Sequence, residues 1–292
     1  MFAQLVSNAI VTASTIILVS FSFLIIYNTV RFFHFAHGAI FAAGAYFTYM
    51  YHFICQLPFY IAVLFAIVSA AILGFIIEIA IYRPLRRRTS SPVTFLLGSL
   101  GLYILLQNLI GLILGDSVKS LTIGSVQRGH EILGARITTV QITTIYTSIF
   151  LVLLVLYLMQ YTKAGRALRA VANDPELALI SGIEIDRMML LAFSVGSALA
   201  GAAGILIAME SNLRPTMGLS PFMLAVVAII IGGRGSILGV ALASLLIGLA
   251  QQFGGWWIGS EWQDTIVFLI LLIFLVLRPY GFHGRSTQML FG

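Results

Sequence analysis

Apolar stretches follow one another along almost the entire chain, and only short polar segments separate them. A helix that crosses the hydrocarbon core of a bilayer needs about 20 mostly apolar residues. Eight stretches approach or exceed that length, and they cover residues 5–30, 36–56, 58–82, 92–115, 140–161, 188–210, 220–250 and 264–278. The pattern predicts an all-α polytopic membrane protein with about eight transmembrane segments, in which residues 1–292 form a single transmembrane domain.

The seventh stretch differs from the others because "GGRGS" (Gly232–Ser236) interrupts it after about ten apolar residues. Glycine-rich backbone at membrane depth is tolerated only where it is buried in protein or lines a cavity. We therefore expect two partial helices around a turn, in a segment that either re-enters the membrane or returns across it.

Small residues recur at helical spacing in the sixth stretch, at Gly196, Ala200, Gly204 and Ala208. Such a stripe lets helix backbones approach closely in lipid. Packing within the helix bundle is the expected role, and a subunit interface or a pathway wall is the alternative.

The composition agrees with a membrane protein. Hydrophobic residues make up 60% of the chain and charged residues 9%, with a mean hydropathy of +1.04. Soluble domains carry about 25% charged residues, so this chain has too little polar surface for a water-exposed globule. The net charge of +6 does not indicate nucleic-acid binding, because most basic residues lie in short loops. The single cysteine, Cys55, excludes an intrachain disulfide and leaves too few thiolates for a metal site.

The distribution of lysine and arginine predicts the orientation, because short basic loops stay in the cytoplasm. "YRPLRRR" (Tyr82–Arg88) and the segment 162–187 are basic and are separated by two apolar stretches, so both are predicted to be cytoplasmic. The C-terminus, with Arg278 and Arg285, joins them. The loop 115–137 and the tryptophan-containing loop 255–264 are predicted outside. No basic residue precedes Arg31, so the first stretch lacks the basic n-region of a signal peptide and is expected to remain a transmembrane helix. With Arg31 inside, its N-terminus is predicted to be external.

The segment 162–187 interrupts the apolar pattern with dense charge. Cations at Lys163, Arg166 and Arg169 and apolar residues at helical spacing predict an amphipathic helix. Asp174 is a favourable N-cap with proline behind it, and Gly182 is a natural C-terminal stop. The sequence predicts two short helices joined by a capped corner. This element either sets topology and rests on lipid, or docks a cytoplasmic partner and transmits force from it.

Ionisable side chains at membrane depth are candidates for function. His34 and His37 lie in "HFAHG", near a predicted helix break, where free backbone N–H groups beside Gly38 could receive a substrate carboxylate. Alternatively, both histidines hydrogen-bond to neighbouring helices, or they form a zinc site with Glu78. Glu78 itself is expected to reach the interface or to pair with Arg83.

Seven segments, in order along the chain, resemble bacterial ABC importer permeases for branched-chain amino acids, specifically the shorter of the two permease types. They are "FFHFAHGAIFAAGAY", "EIAIYRPLRRR", "GSLGLYILLQNLIGLILG", "GRALRAVANDPELALISGIEIDR", "AFSVGSALAGAAGIL", "GGRGSILGVALASLLIGLAQ" and "DTIVFLILLIFLVLRPYGFHG". The resemblance implies the ABC importer permease fold and makes 162–187 the coupling-helix loop, which docks on a separate ATPase.

The resemblance also implies roles for individual residues. It assigns to ATPase coupling Gly165, Arg166, Arg169, Ala170, Asn173, Asp174, Glu176, Ala178 and Gly182. It assigns to the substrate pathway His34, Phe35, His37, Gly38, Gly232, Gly233 and Gly235.

The partners implied by the resemblance are a second, longer permease in a heterodimer, two cytoplasmic ATPase subunits and an external or periplasmic binding protein. The protein is expected in the bacterial cytoplasmic (inner) membrane, without nucleic acid. No cofactor and no enzymatic activity are expected of this chain, and ATP and Mg²⁺ would bind the ATPase subunits. A phosphate loop needs Gly-Lys before Ser or Thr, and neither of the two lysines, Lys119 and Lys163, follows glycine.

Three features depart from the family pattern. His34 stands where asparagine is expected, Arg234 lies in the glycine turn, and the stretch before that turn, "PFMLAVVAIIIGG", lacks the expected Lys-Ala-Phe. All three lie near the implied pathway or its cytoplasmic end, so the same architecture importing urea, short amides or other small amino acids is the alternative. A stand-alone secondary transporter is an alternative of another class. It would need buried mid-helix carboxylates, which are nearly absent here apart from Glu78.

Overall fold

The computed structural model describes residues 1–88, 91–121, 129–132, 134–233, 236–278 and 281–282. Their secondary structure is almost entirely helical. The elements are α1 (Phe2–Val30), α2 (Ala36–Tyr49), α3 (Phe59–Ile77), α4 (Arg83–Arg88), α5 (Pro92–Leu114), β1 (Gly129–Ile132), β2 (Ala135–Thr138), α6 (Thr139–Tyr161), α7 (Lys163–Asn173), α8 (Pro175–Ile180), α9 (Ile185–Glu210), α10 (Leu219–Gly232), α11 (Ile237–Trp257) and α12 (Gln263–Leu277).

Seven helical segments in the described part of the chain are long and apolar enough to cross a membrane. They are Phe2–Val30, Phe59–Arg88, Pro92–Leu114, Thr139–Tyr161, Ile185–Glu210, Ile237–Trp257 and Ser260–Leu277. The prediction of a polytopic helical membrane protein is confirmed. Segment 36–56 forms α2 and a π-helical turn, Met50–Ile54, so the count of about eight crossings stays a prediction.

The predicted seventh segment is two helices of unequal length. The first, α10, has 14 residues, and the second, α11, has 21 and is long enough to span by itself. Two partial helices were therefore the wrong expectation for the second half. The first helix ends at Gly233, whose φ of 93° lies in the left-handed region that glycine accommodates. Arg234 and Gly235 lie outside the described residues.

The core lies between α1, α2, α3, α9 and α10, and α1 is the most enclosed of the spanning helices. The small-residue stripe of α9 is buried there. A Cβ on Gly196 would meet Ile26 of α1, and a Cβ on Gly204 would meet the carbonyl oxygen of Phe41 in α2. Packing within the bundle is thus the role of this stripe.

The two ends of the bundle are distinct. At one end, Gln4 of α1 exchanges hydrogen bonds with the backbone of Arg136, and Lys119 pairs with Leu213. This end also carries the β1–β2 hairpin, which the all-α prediction lacked. At the opposite end, Arg31 meets the end of α7. The described part of the loop 115–137, predicted to be external, and the segment 162–187, predicted to be cytoplasmic, therefore lie at opposite ends.

Candidate coupling surface and buried histidine cluster

Helix α7 lies against the end of α6 through a glycine contact. It begins at Lys163 after Thr162, whose hydroxyl accepts a hydrogen bond from the Gly165 backbone N–H at 3.0 Å. A Cβ on Gly165 would meet backbone atoms of Leu158 and Met159 in α6. Leu168 and Val171 continue the buried face, as the apolar spacing predicted.

The predicted capped corner follows α7 and is confirmed. The Asp174 carboxylate accepts hydrogen bonds from the backbone N–H groups of Glu176 at 3.0 Å and Leu177 at 3.1 Å. At the other end of α8, the Ile183 N–H donates to the Ala178 carbonyl and the Gly182 N–H to the Leu179 carbonyl, both at 3.0 Å. With Gly182 at φ 80°, this is a complete Schellman motif, so short α8 is fixed at both ends.

The surface of α7 and α8 that faces away from the bundle combines charge with exposed apolar side chains. Of the residues predicted for coupling, Arg166, Asn173, Asp174, Glu176 and Gly182 are exposed, Ala170 is half-buried, and Gly165 and Ala178 pack inward.

Sequence reasoning missed the apolar part of this surface. Leu177, Leu179 and Ile180 expose 61%, 61% and 84% of their surface. The signal was present in "ELALI", because consecutive apolar residues cannot all lie on the buried side of one helical turn.

Arg169 differs from the other coupling candidates. Its guanidinium donates to the Gln160 carbonyl of α6 at 3.4 Å. It also lines a cavity of about 170 Å³ behind α7, whose walls include Phe21 of α1 and Ile237 of α11. Arg169 therefore contributes to the packing of α7 as well as to its exposed side.

Arg31 fixes the far end of α7, and sequence reasoning missed it. Arg31 has a φ of 58° and caps the C-terminus of α1. Its guanidinium donates to the carbonyl oxygens of Ala172 at 3.2 Å and Asn173 at 3.1 Å. A cation at these terminal carbonyls also interacts favourably with the negative end of the α7 dipole.

An ion-pair group joins the end of segment 162–187 to α3 and α4. The Arg83 Nε donates to Asp186 Oδ2 at 3.0 Å, and the Arg86 guanidinium lies 4.0 Å from Asp186 Oδ1. Arg86 also pairs with both oxygens of Glu78, which is fully buried. The prediction that Glu78 pairs with Arg83 was wrong. Arg83 pairs with Asp186 instead, and the partner of Glu78 is Arg86, eight residues along the chain.

The predicted histidine pair lies at the start of α2, enclosed by the chain's own helices. His34 Nδ1 is 2.7 Å from the Tyr82 hydroxyl, and His37 Nε2 is 2.8 Å from the Ser22 hydroxyl. Both histidines therefore hydrogen-bond to neighbouring segments of the bundle, as the alternative interpretation of the sequence predicted. The other ring nitrogen of each has no hydrogen-bond partner among the described residues. No group of three metal-ligating side chains occurs in the described part of the chain, so the zinc alternative has no support there.

The other predicted pathway residues fall into two places. Phe35 donates its backbone N–H to Ser99 Oγ at 3.2 Å, and a Cβ on Gly38 would lie 2.9 Å from the Gly218 carbonyl oxygen, where α10 begins. Gly232 and Gly233 lie at the far end of α10. The structure brings the residues from 34 to 38 together and leaves Gly232 and Gly233 apart from them.

Comparison with known proteins now gives the family. Residues 5–276 match the family of the branched-chain amino acid transport system permease component. The chain belongs to this family. The permease is 32% identical over 298 residues to the high-affinity branched-chain amino acid transport system permease protein LivH of Escherichia coli K12, across 97% of this chain and 96% of LivH. It is 30% identical over 300 residues to BraD of Pseudomonas aeruginosa, with the same coverage.

A solved structure supports the fold. The permease matches a chain of PsaBC from Streptococcus pneumoniae, determined in complex with Fab, with a TM-score of 0.55 and 17% identity over 96% of this chain and 97% of that one. At that identity the likeness concerns the fold alone. The resemblance read from the sequence motifs is confirmed, and the permease is a transporter subunit with several membrane-spanning helices.

Proposed function

We propose that the permease forms half of the translocation pathway of an ATP-driven importer for branched-chain amino acids in the bacterial cytoplasmic membrane. Family membership over residues 5–276 supports the importer, and the names of LivH and BraD support the substrate class. Leucine, isoleucine and valine are small apolar amino acids, which suits a chain with so few charged groups within its spanning helices.

The observation that carries the coupling role is the rigid helix–corner–helix at 162–187. Hydrogen bonds at the Thr162 and Asp174 N-caps and at the Gly182 Schellman turn hold the ends of both short helices in place. A loop that only set topology would need its positive charge and no such geometry. Leu177, Leu179 and Ile180 are exposed on a segment predicted to be cytoplasmic, and burying them against a protein partner removes apolar surface from water.

The partners follow from this role. Two separate ATPase subunits would bind ATP and Mg²⁺. Residues 162–187, here called the coupling segment, would dock on one of them. A second, longer permease would complete the pathway as a heterodimer, and an external or periplasmic binding protein would deliver the substrate. The C-terminus would lie in the cytoplasm with the coupling segment.

The pathway residues remain a proposal. His34, Phe35, His37 and Gly38 would shape the pathway from the start of α2, where the backbone N–H groups of a helix N-terminus favour an anionic group such as a substrate carboxylate. Gly232, Gly233 and Gly235 would form its second element at the end of α10. The full burial of both histidines within one subunit means that such contact would require the helices to move.

Competition for uptake tests the substrate class. Cells that carry the complete gene cluster, with or without this chain, are given labelled leucine and an excess of unlabelled leucine, isoleucine or urea. Uptake should require the chain, and unlabelled leucine and isoleucine should block it while urea does not. Leucine uptake that persists without the chain, or that urea blocks, contradicts the proposal.

A further inference from the structure

Four charged residues connect the coupling segment to the interior of the bundle: Glu78, Arg83, Arg86 and Asp186, here called the charged strut. Asp186 is the second residue of α9 and lies at the end of the coupling segment. Arg83 and Arg86 belong to α4, which continues α3 toward the same end of the bundle. Asp186 faces both arginines, and Arg86 in turn holds Glu78 inside the protein.

The strut runs from half-exposed to fully buried. The side chains of Asp186 and Arg83 are 45% and 38% exposed, that of Arg86 is 22% exposed, and that of Glu78 is fully buried. A buried ion pair stabilises a fold no better than well-packed apolar residues of similar volume, and an exposed pair contributes little. The pattern is therefore better explained by a need to hold α9, α4 and α3 in one fixed arrangement than by stability.

The buried end of the strut lies on an irregular helical turn. Glu78–Tyr82 is π-helical, and π-helical turns occur frequently at functional sites. Tyr82, the last residue of this turn, is fully buried, stacks on Phe193 of α9 with ring centroids 5.3 Å apart, and contacts His34 through its hydroxyl at 2.7 Å. The turn thus joins the strut to the α1–α2 junction and hence to the start of α2.

We propose that the charged strut transmits the displacement of the coupling segment into α3 and, through Tyr82 and His34, to the start of α2. This inference rests on the proposed coupling function. Movement of α8 by the ATPase would shift Asp186 directly, because only the Gly182 turn and three further residues separate them. Arg83 and Arg86 would move with Asp186 because their ion pairs hold them to it. The π-helical turn would then pass this displacement to α3. The four residues act as positioning residues and need not contact the substrate.

The test compares two neutralised carboxylates that lie two residues apart. Asp186→Asn removes the strut's exposed end. Glu184→Gln removes a carboxylate whose one ion pair within the described part of the chain is with nearby Arg187, at 2.6 Å between two exposed side chains, and it serves as the matched control. Each variant is purified with the complete importer and reconstituted in vesicles, where leucine uptake and ATP hydrolysis are measured together.

The expected readout is a change in the ratio of leucine imported to ATP hydrolysed. Asp186→Asn should lower this ratio by about two- to thirtyfold while hydrolysis continues, since mutations along a coupling network change coupling over that range. Glu184→Gln should leave the ratio unchanged, and Asp186→Glu should restore most of it. Arg83→Gln, at a partly exposed position, repeats the test if Asp186→Asn fails to assemble.

Two results separate the strut from the function on which it rests. An unchanged ratio in both Asp186→Asn and Arg83→Gln, with normal wild-type import, overturns the strut alone. A wild-type complex that hydrolyses ATP without importing leucine overturns the proposed function instead. Equal losses of uptake and hydrolysis, with a lowered melting temperature, would assign the strut to stability and likewise overturn its transmission role.

Discussion

At the scale of single residues, Gly165 shows how a missing side chain determines where the coupling segment lies. Backbone atoms of Leu158 and Met159 occupy the place that a Cβ would take, and backbone cannot move aside as the end of a flexible side chain can. The close approach lets α7 lie against α6, with Leu168 and Val171 buried behind it. Arg31 then holds the opposite end of α7.

Gly165→Ala should therefore reduce leucine uptake, because the added methyl group pushes α7 away from α6 and displaces the docking surface. Overpacking of this kind lowers the free energy of unfolding by about 1–3 kcal/mol. Gly129→Ala is the control, since a Cβ at Gly129 in β1 would meet no atom of the described residues within 4 Å. Uptake and membrane abundance are measured for both variants. Normal uptake by Gly165→Ala would show that the position of α7 tolerates displacement.

At the scale of elements, close packing of α9 against α2 and α3 organises the centre of the bundle. Gly204 of α9 meets the Phe41 carbonyl of α2, and Gly201 meets Ala70 of α3. In a membrane, helix association relies on such packing because lipid is as apolar as the side chains. These glycines thus fix the helices against which the histidine pair is buried.

Substitution of one buried and one open glycine tests this packing. Gly204→Ala should lower the melting temperature of the detergent-solubilised protein, because its Cβ would overlap backbone of α2; a cost of about 1–3 kcal/mol is expected. Gly101→Ala in α5 should not, because a Cβ there would meet nothing within 4 Å in the part of the chain that the structure describes. Equal melting temperatures for the two variants would contradict the packing account.

Local signals determined which elements the sequence could predict. Asp174, Pro175 and Gly182 act within a few residues of themselves, so the capped corner was predictable. The Arg31 contact joins residues 141 and 142 positions apart, and the Arg83–Asp186 bond joins residues 103 apart. Neither partner carries a local signal, so these contacts were beyond sequence reasoning. The residues for coupling and pathway were named through family resemblance, and their roles stay predictions.

At the scale of the whole molecule, the two ends of the bundle must face opposite sides of the membrane if the coupling segment is to reach a cytoplasmic ATPase. Exposed Cys55 lies in the short connection between α2 and α3. Because α3 and α4 then lead to the predicted cytoplasmic arginines, Cys55 should be outside. The exposed turn at Ser181, in the coupling segment, should be inside.

A membrane-impermeant maleimide can read this orientation. It should label Cys55 in intact cells, and it should label a Cys55→Ser/Ser181→Cys variant only after the membrane is opened. The Cys55→Ser variant provides the background. Labelling of Ser181→Cys in intact cells would place the coupling segment outside and exclude contact with a cytoplasmic ATPase.

The coupling segment is proposed to link ATP hydrolysis to amino acid uptake. The exposed side chain of Ile180, 84% accessible, is its most direct probe, because its replacement hardly affects the fold. The complete importer is purified and reconstituted with wild-type permease, Ile180→Val or Ile180→Asp, and ATP-dependent uptake of labelled leucine is measured. We expect normal uptake with Ile180→Val, and loss of ATPase association and of uptake with Ile180→Asp. Full uptake with Ile180→Asp would contradict the proposed link.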